Sequence, residues 1–168
     1  MTAEERRKGI LETIRRGDGP HNATVLAKTF GVSRQVVVAD VALLRASGHE
    51  IHATPRGYVM GHEENGLICR IACCHGSEEA ECELNIIVDN GCTVLDVVVE
   101  HPVYGEITGA LQLKNRYEVS AFLNNLSRAR PLSILTGGVH LHTISCPDTQ
   151  AYERVVEQLS EAGILLTE

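Results

Sequence analysis

Between Asn22 and Gly48 two short amphipathic runs are separated by Phe30-Gly31-Val32-Ser33, and no other stretch restricts the fold so tightly. Asn22 can cap a helix whose apolar face is Val25, Leu26 and Phe30, and Gly31 ends it, because glycine readily takes the left-handed conformation that closes a helix. Ser33 then caps a second helix with Val36, Val37, Val41, Leu43 and Leu44 as its inward stripe, and Gly48 terminates it. Two helices joined by a tight Gly-containing turn, the second opening with Ser33-Arg34-Gln35, have the layout of a helix-turn-helix. A first helix precedes them from Thr2 to about Arg16, carrying Ile10, Leu11 and Ile14 at helical spacing until Gly17-Asp18-Gly19-Pro20 stops it. After them, Ile51 to Met60 reads as two short extended runs around Thr54-Pro55-Arg56-Gly57, a hairpin wing with Arg56 at its tip.

Charge supports the division of labour that this head implies. The net charge of −7 argues against a nucleic-acid binder only when it is taken as a whole. Residues 1–60 hold nine Lys/Arg against six Asp/Glu, a net +3, whereas the remainder holds six against sixteen, a net −10. A basic head on an acidic body suits a chain that meets phosphates with one end only.

His62-Glu63-Glu64-Asn65-Gly66 is polar and without apolar period, so the domain boundary is placed there: a winged helix over residues 1–61 and a second domain over 66–168. In the second domain the periodicity predicts a strand at 67–74, a helix at 77–89, strands at 92–100 and 106–113 and a helix at 115–128. Strands at Leu132–Leu135 and 139–145 and a helix at 148–162 follow. The order β-α-β-β-α-β-β-α implies an α+β domain with helices packed on one side of a mainly antiparallel sheet.

Composition narrows the setting. No segment is apolar over the 18 or so residues that a membrane span needs, and the charged start lacks the apolar run of a signal peptide, so a cytoplasmic protein without a membrane partner is expected. The six cysteines all lie beyond residue 65 and include no CxxC pair. Buried reduced thiols are therefore expected rather than disulfides or a closed structural zinc site.

His140 and His142 stand two apart in GGVHLHTIS, so on a strand their imidazoles leave the same face while Leu141 points the other way. That arrangement suits one metal ion; a pair of solvated histidines on an edge strand is the alternative. Ala80, Leu84, Ile87 and Val88 make the predicted buried stripe of the 77–89 helix. Glu83 falls only about 40° from Ile87 at about 100° per residue, at the edge of the core face, where a carboxylate wants a cation or must reach out to solvent. His75 ends the preceding strand and joins them if the two strands are neighbours, with Cys73 or Cys74 as an alternative donor beside it. Three imidazoles and a carboxylate favour a divalent transition metal, zinc or nickel first and then iron or copper, over magnesium or calcium.

The segments SRQVVVADVALLRASGHEIHATPRGYVM (33–60), EHPVYGEITGAL (100–111) and GGVHLHT (137–143) together resemble the niacin-responsive repressor family, which joins a winged helix of the HTH_11 type to a 3H domain. The likeness spans nearly the whole chain, and HPVYG with GGxHxH at this separation is its specific part. The resemblance implies a metal site made by a His, a Glu eight residues later and the two strand histidines, which fall here on His75, Glu83, His140 and His142. It also implies repression of genes for NAD synthesis or niacin uptake, nicotinic acid as co-repressor, and a homodimer. His101 matches the third signature histidine and Arg116 is a candidate for the effector's carboxylate. On double-stranded operator DNA, Ser33, Arg34 and Gln35 are expected near base edges or phosphates, with Arg56 at a phosphate or in the minor groove. A metal-sensing repressor without organic effector and a metal-dependent hydrolase are the competing readings; the second lacks a separate base or nucleophile beyond Glu79 and Asp96, so no enzyme is expected.

Overall fold

In the computed structural model residues 1–61 and 66–167 are described; the boundary stretch at 62–65 lies outside them. The chain divides into two compact units, Met1–Glu63 and Glu64–Glu168.

The first unit opens with α1 (Ala3–Arg16), started by a reciprocal cap in which the Thr2 side chain accepts from the Glu5 backbone and Glu5 accepts from the Thr2 backbone. Next come α2 (Ala23–Phe30), capped by Asn22 and closed by Gly31 at φ +65°, and α3 (Arg34–Ala46), capped by Ser33. Ile10, Leu11, Ile14, Leu26, Ala27, Val37, Val41 and Leu44 make their common core. Two expected core residues face water instead: Val25 is 59% and Leu43 52% exposed. Each lies about 100° around its helix from the buried Leu26 or Leu44, outside the apolar stripe. Asp40 is buried within the stripe of α3, where the Arg6 Nε donates to it at 2.6 Å and Arg7 stands 3.7 Å away, so a charge pair ties α1 to α3. The hairpin of β1 (Ile51–Thr54) and β2 (Gly57–Met60) gains a third partner not expected from the pattern: His21 exchanges two 2.9 Å backbone hydrogen bonds with Tyr58. A Cβ on Gly57 would sit 2.5 Å from the His21 carbonyl, so glycine is required for that approach.

The second unit is a four-stranded, wholly antiparallel sheet in the order β3-β6-β4-β5, formed by β3 (Leu67–Cys74), β4 (Thr93–His101), β5 (Gly105–Leu113) and β6 (Val139–Cys146). Helices α4 (Ala80–Asp89), α5 (Arg116–Leu126) and α6 (Thr149–Glu161) contribute Leu84, Ile87, Val119, Val155 and Leu159 to one core with Ile71, Val94, Leu113 and Ile144 of the sheet. The α+β class is as expected from the sequence. Leu132–Thr136, expected as a strand over its first four residues, is instead a 3-10 turn. Pro131 removes a ladder donor at its start, Gly137 and Gly138 at φ +63° and +95° end it, and a four-residue apolar run carries too little period to separate the two. The helix expected from Ser77 begins as a 3-10 turn, Ser77–Glu79, and becomes α-helical at Ala80.

Candidate metal centre

Strand register brings the predicted residues together. Strands β3 and β6 are direct neighbours, with Ile71 opposite His142 and Cys73 opposite His140. Since β6 lies inside the sheet and both histidines are 3% exposed, the alternative of solvated edge-strand imidazoles does not hold. Helix α4 lowers Glu83 onto this face, and the carboxylate is not at the edge of the core, as its helical angle suggested, but within it at 2% exposure. His75 follows the end of β3. Its position is set by Gly138, whose backbone is so near that a Cβ would lie 2.6 Å from the His75 carbonyl oxygen.

Three imidazoles converge on the one carboxylate. Nε2 of His75 is 2.6 Å from a Glu83 oxygen, that of His140 3.0 Å and that of His142 3.4 Å. The rings stand edge to face, with centroids 4.8 Å apart for His75 and His140 and 4.9 Å for His140 and His142. On the far side of each ring, Nδ1 is committed to a backbone carbonyl: Gly76 for His75 at 2.6 Å, Gly138 for His140 at 2.8 Å and Asp96 for His142 at 2.7 Å. A carbonyl only accepts, so each Nδ1 carries the hydrogen and each Nε2 is left to present either a lone pair or a second proton toward Glu83.

This electrostatic arrangement is unbalanced without a cation. Lone pairs aimed at a carboxylate repel it, whereas protonating all three rings buries three positive charges around one negative. The protonation equilibria reflect the conflict. Burial pushes Glu83 up, yet hydrogen bonds from His140, His142 and His75 outweigh it and hold the carboxyl well below the usual carboxylate range. The Glu83 hydrogen bond raises His75, and in His142 burial is overcome by the hydrogen bond and charge of the same group. Nδ1 tied to a carbonyl and Nε2 turned inward is the outer-shell pattern that orients imidazoles as metal ligands. Three nitrogens and a carboxylate have the donor chemistry for a divalent transition ion.

One donor was assigned only an alternative role from the sequence. Cys73 Sγ, a Glu83 oxygen and a His140 nitrogen lie within 4.8 Å of one another, all buried. The cross-strand register that places Cys73 there cannot be read from spacing along the chain. All six cysteines are free thiols. Two clefts of about 310 and 420 Å³ adjoin His75 and share Gly76, Ser77, Pro131 and Ser133 in their walls. Among the described residues neither is lined by a lysine or an arginine, and the larger is lined by Glu78 and Glu81.

The remaining predicted residues stand elsewhere. His101 closes the β4–β5 turn, its Nδ1 accepting from the backbone of Val103 at 3.1 Å and Tyr104 at 3.2 Å. Arg116 pairs with Asp89 at the C-terminal end of α4, its Nε 2.8 Å from the carboxylate, on the surface. Asp96, considered as a hydrolytic base, accepts from the Thr143 backbone at 3.0 Å, and Glu79 is exposed. In the first unit the Ser33 hydroxyl accepts from Val36 as the α3 cap, Arg34 and Gln35 are exposed on the first turn, and Arg56 is half-buried in the wing turn. Val38, not singled out from the sequence, is also exposed and falls between Arg34 and Gln35 around the helix.

A helix-turn-helix with a hairpin wing, on the same chain as an α+β unit with a buried cluster of imidazoles around a carboxylate, is the layout of a winged-helix transcription regulator. Residues 6–59 match the HTH domain model and residues 69–168 the 3H domain model. The chain is 43% identical over 167 residues to a probable transcription repressor NiaR of Thermotoga maritima, covering 98% of this chain and 95% of that protein. It is 44% identical to the transcription repressor NadR of Bacillus subtilis, covering 99% and 96%. It is also 29% identical over 108 residues to an uncharacterized protein of Methanothermus fervidus, 17% of whose length is covered. The chain belongs to this family of DNA-binding transcription repressors, which join a helix-turn-helix to a 3H domain. Among the described residues no helix is long and apolar enough to cross a membrane.

Proposed function

We propose that this repressor binds its operator as a homodimer when nicotinic acid is held at a divalent transition metal, zinc or nickel, bound by His75, Glu83, His140 and His142. The observation that carries the reading is the commitment of all three Nδ1 atoms to backbone carbonyls while the three Nε2 atoms surround one buried carboxylate. An ion there would offer a coordination position to the carboxylate or the pyridine nitrogen of the effector. The clefts at His75 would give the effector room beside the ion, whose positive charge would have to outweigh Glu78 and Glu81 in the wall of the larger one. His101 and Arg116 are engaged in a turn and a surface ion pair, which favours placing the effector at His75 rather than at either of them.

In the head, Arg34 and Gln35 would read base edges or phosphates and the Val38 side chain would meet a thymine methyl. Ser33 would hold the helix end against the backbone, and Arg56 would steady the wing at a phosphate or in the minor groove. The two recognition helices of a dimer would enter successive major grooves. Effector and DNA binding need a coupling of only ~1–3 kcal/mol for such a switch.

The test is fluorescence anisotropy on a DNA fragment that the protein selects from a random pool, with metal and nicotinate varied independently. Binding is expected to need both, to fall steeply with salt because phosphate contacts release counterions, and to lose its nicotinate response in His140→Ala and His142→Ala. A response to metal alone would replace the effector reading with metal sensing. Full nicotinate-dependent binding by both variants would refute the site.

A further inference from the structure

We propose that Cys73 is a thiolate donor to the ion bound by Glu83 and His140, which makes the centre a mixed nitrogen, oxygen and sulfur site. The inference rests on the metal reading above and adds to it a residue that neither the histidine spacing nor the family resemblance supplies.

The argument begins with register. Cys73 is the cross-strand partner of His140, and directly opposed side chains on one face of an antiparallel pair stand about 5 Å apart at Cβ. The same face receives Glu83 from α4, and the three donor atoms lie within 4.8 Å of one another. For thiolate, imidazole and carboxylate around one transition ion, each donor sits about 2.0–2.3 Å from the metal, so donor pairs separate by less than 4.8 Å and modest side-chain rotation closes the set. Cys73 is fully buried, so its sulfur cannot turn to solvent, and it stands on the sheet side, while His75 lines the clefts. The sulfur therefore takes a position away from the side where a ligand enters.

The other five cysteines do not share this placement: Cys69, on the same face of β3, is opposite Ile144, four residues and about 13 Å along the strand from Cys73. Cys74 is the next residue on the strand and points to the opposite face, and Cys82 is exposed. Cys146 is opposite Leu67, six residues further along the β3 ladder from Cys73 and about 20 Å away at strand rise, and Cys92 lies against Cys146. As the metal–sulfur bond forms, the thiol proton passes to solvent, and the soft donor shifts preference toward zinc, cobalt and nickel and away from manganese and magnesium.

Cobalt(II) substitution of the full chain reads the proposal directly. Visible d–d bands report occupancy of the centre, and a near-ultraviolet sulfur-to-cobalt charge-transfer band reports a thiolate ligand. The wild type is expected to show both, Cys74→Ser to keep both, and Cys73→Ser and Cys73→Val to lose the charge-transfer band while keeping the d–d bands. The valine variant preserves apolar packing where a buried serine hydroxyl could disturb it. Cobalt uptake by the wild type should also release one more proton per ion than uptake by Cys73→Val. Strong d–d bands with no charge-transfer band in the wild type, or a charge-transfer band that survives Cys73→Val, would overturn the assignment while leaving the histidine centre standing. Absence of d–d bands from the wild type would overturn the metal reading itself, and Cys73 with it.

Discussion

Asp40 in the first unit and Glu83 in the second are carboxylates buried to 3% exposure or less, and the two are compensated in opposite ways. Asp40 in α3 is held by the guanidinium groups of Arg6 and Arg7, which stay charged at any accessible pH. Glu83 in α4 is held by three imidazoles, whose charge depends on pH and whose Nε2 atoms can exchange protons for a metal ion. The first carboxylate is finished as a structural clamp between helices. The second is held by groups whose charge can change, which is why the metal reading is proposed for Glu83 and not for Asp40.

The largest expected difference between them is the response to metal. Zinc at about 1,000 times its dissociation constant should raise the unfolding free energy of the second unit by about 4 kcal/mol, seen as a shift in thermal melting, and His142→Ala should abolish the increment. Asp40→Ala should lower stability in urea titrations by the same amount with and without zinc, because it removes the partner of Arg6 and Arg7 and no ion replaces it. A zinc-dependent loss in that variant would break the comparison. Gly138→Ala should cost about 2 kcal/mol, since residue 138 sits at φ +95° and its new Cβ would press on the His75 carbonyl. The loss should be accompanied by weaker zinc binding measured by competition with a chelating dye.

The smallest effect is on pH. His75 and His142 are raised in the folded chain, so their contribution is fully present below their unfolded value of about 6.5 and is lost as pH rises through the folded values. Glu83 is lowered, so its contribution is present above its unfolded value of about 4.3 and is lost as pH falls through the folded one. Metal-free protein should therefore be most stable between about pH 4.3 and 6.5 and weaken toward alkaline pH. With zinc bound the slope should reverse over neutral pH, because ligand nitrogens must lose their protons to coordinate. Denaturant midpoints across pH with chelator or zinc would check both signs.

Legibility in the sequence followed the range of the interactions. Caps and glycines act within a turn of helix, so Asn22, Gly31 and Ser33 marked the helix-turn-helix correctly. Strand parity likewise put His140 and His142 on one face. The depth of Glu83, the approach of Cys73 and the third wing strand at His21 all depend on pairings between distant segments, which no local period encodes. Asp40 did leave a local sign: it lies between Val37 and Val41 on the stripe, where a lone carboxylate demands a partner, though not which one. Leu132–Leu135 failed for want of length, four residues being compatible with a strand or a tight turn.

The placement of β6 has a bearing on time as well as on geometry. Strand neighbours flank it on both sides, so His140 and His142 ride on backbone that opens only when the sheet itself comes apart. His75 alone among the three imidazoles stands outside a strand, beside the clefts. In the proposed centre, an ion would therefore exchange through His75, the one imidazole ligand that could leave without opening the sheet.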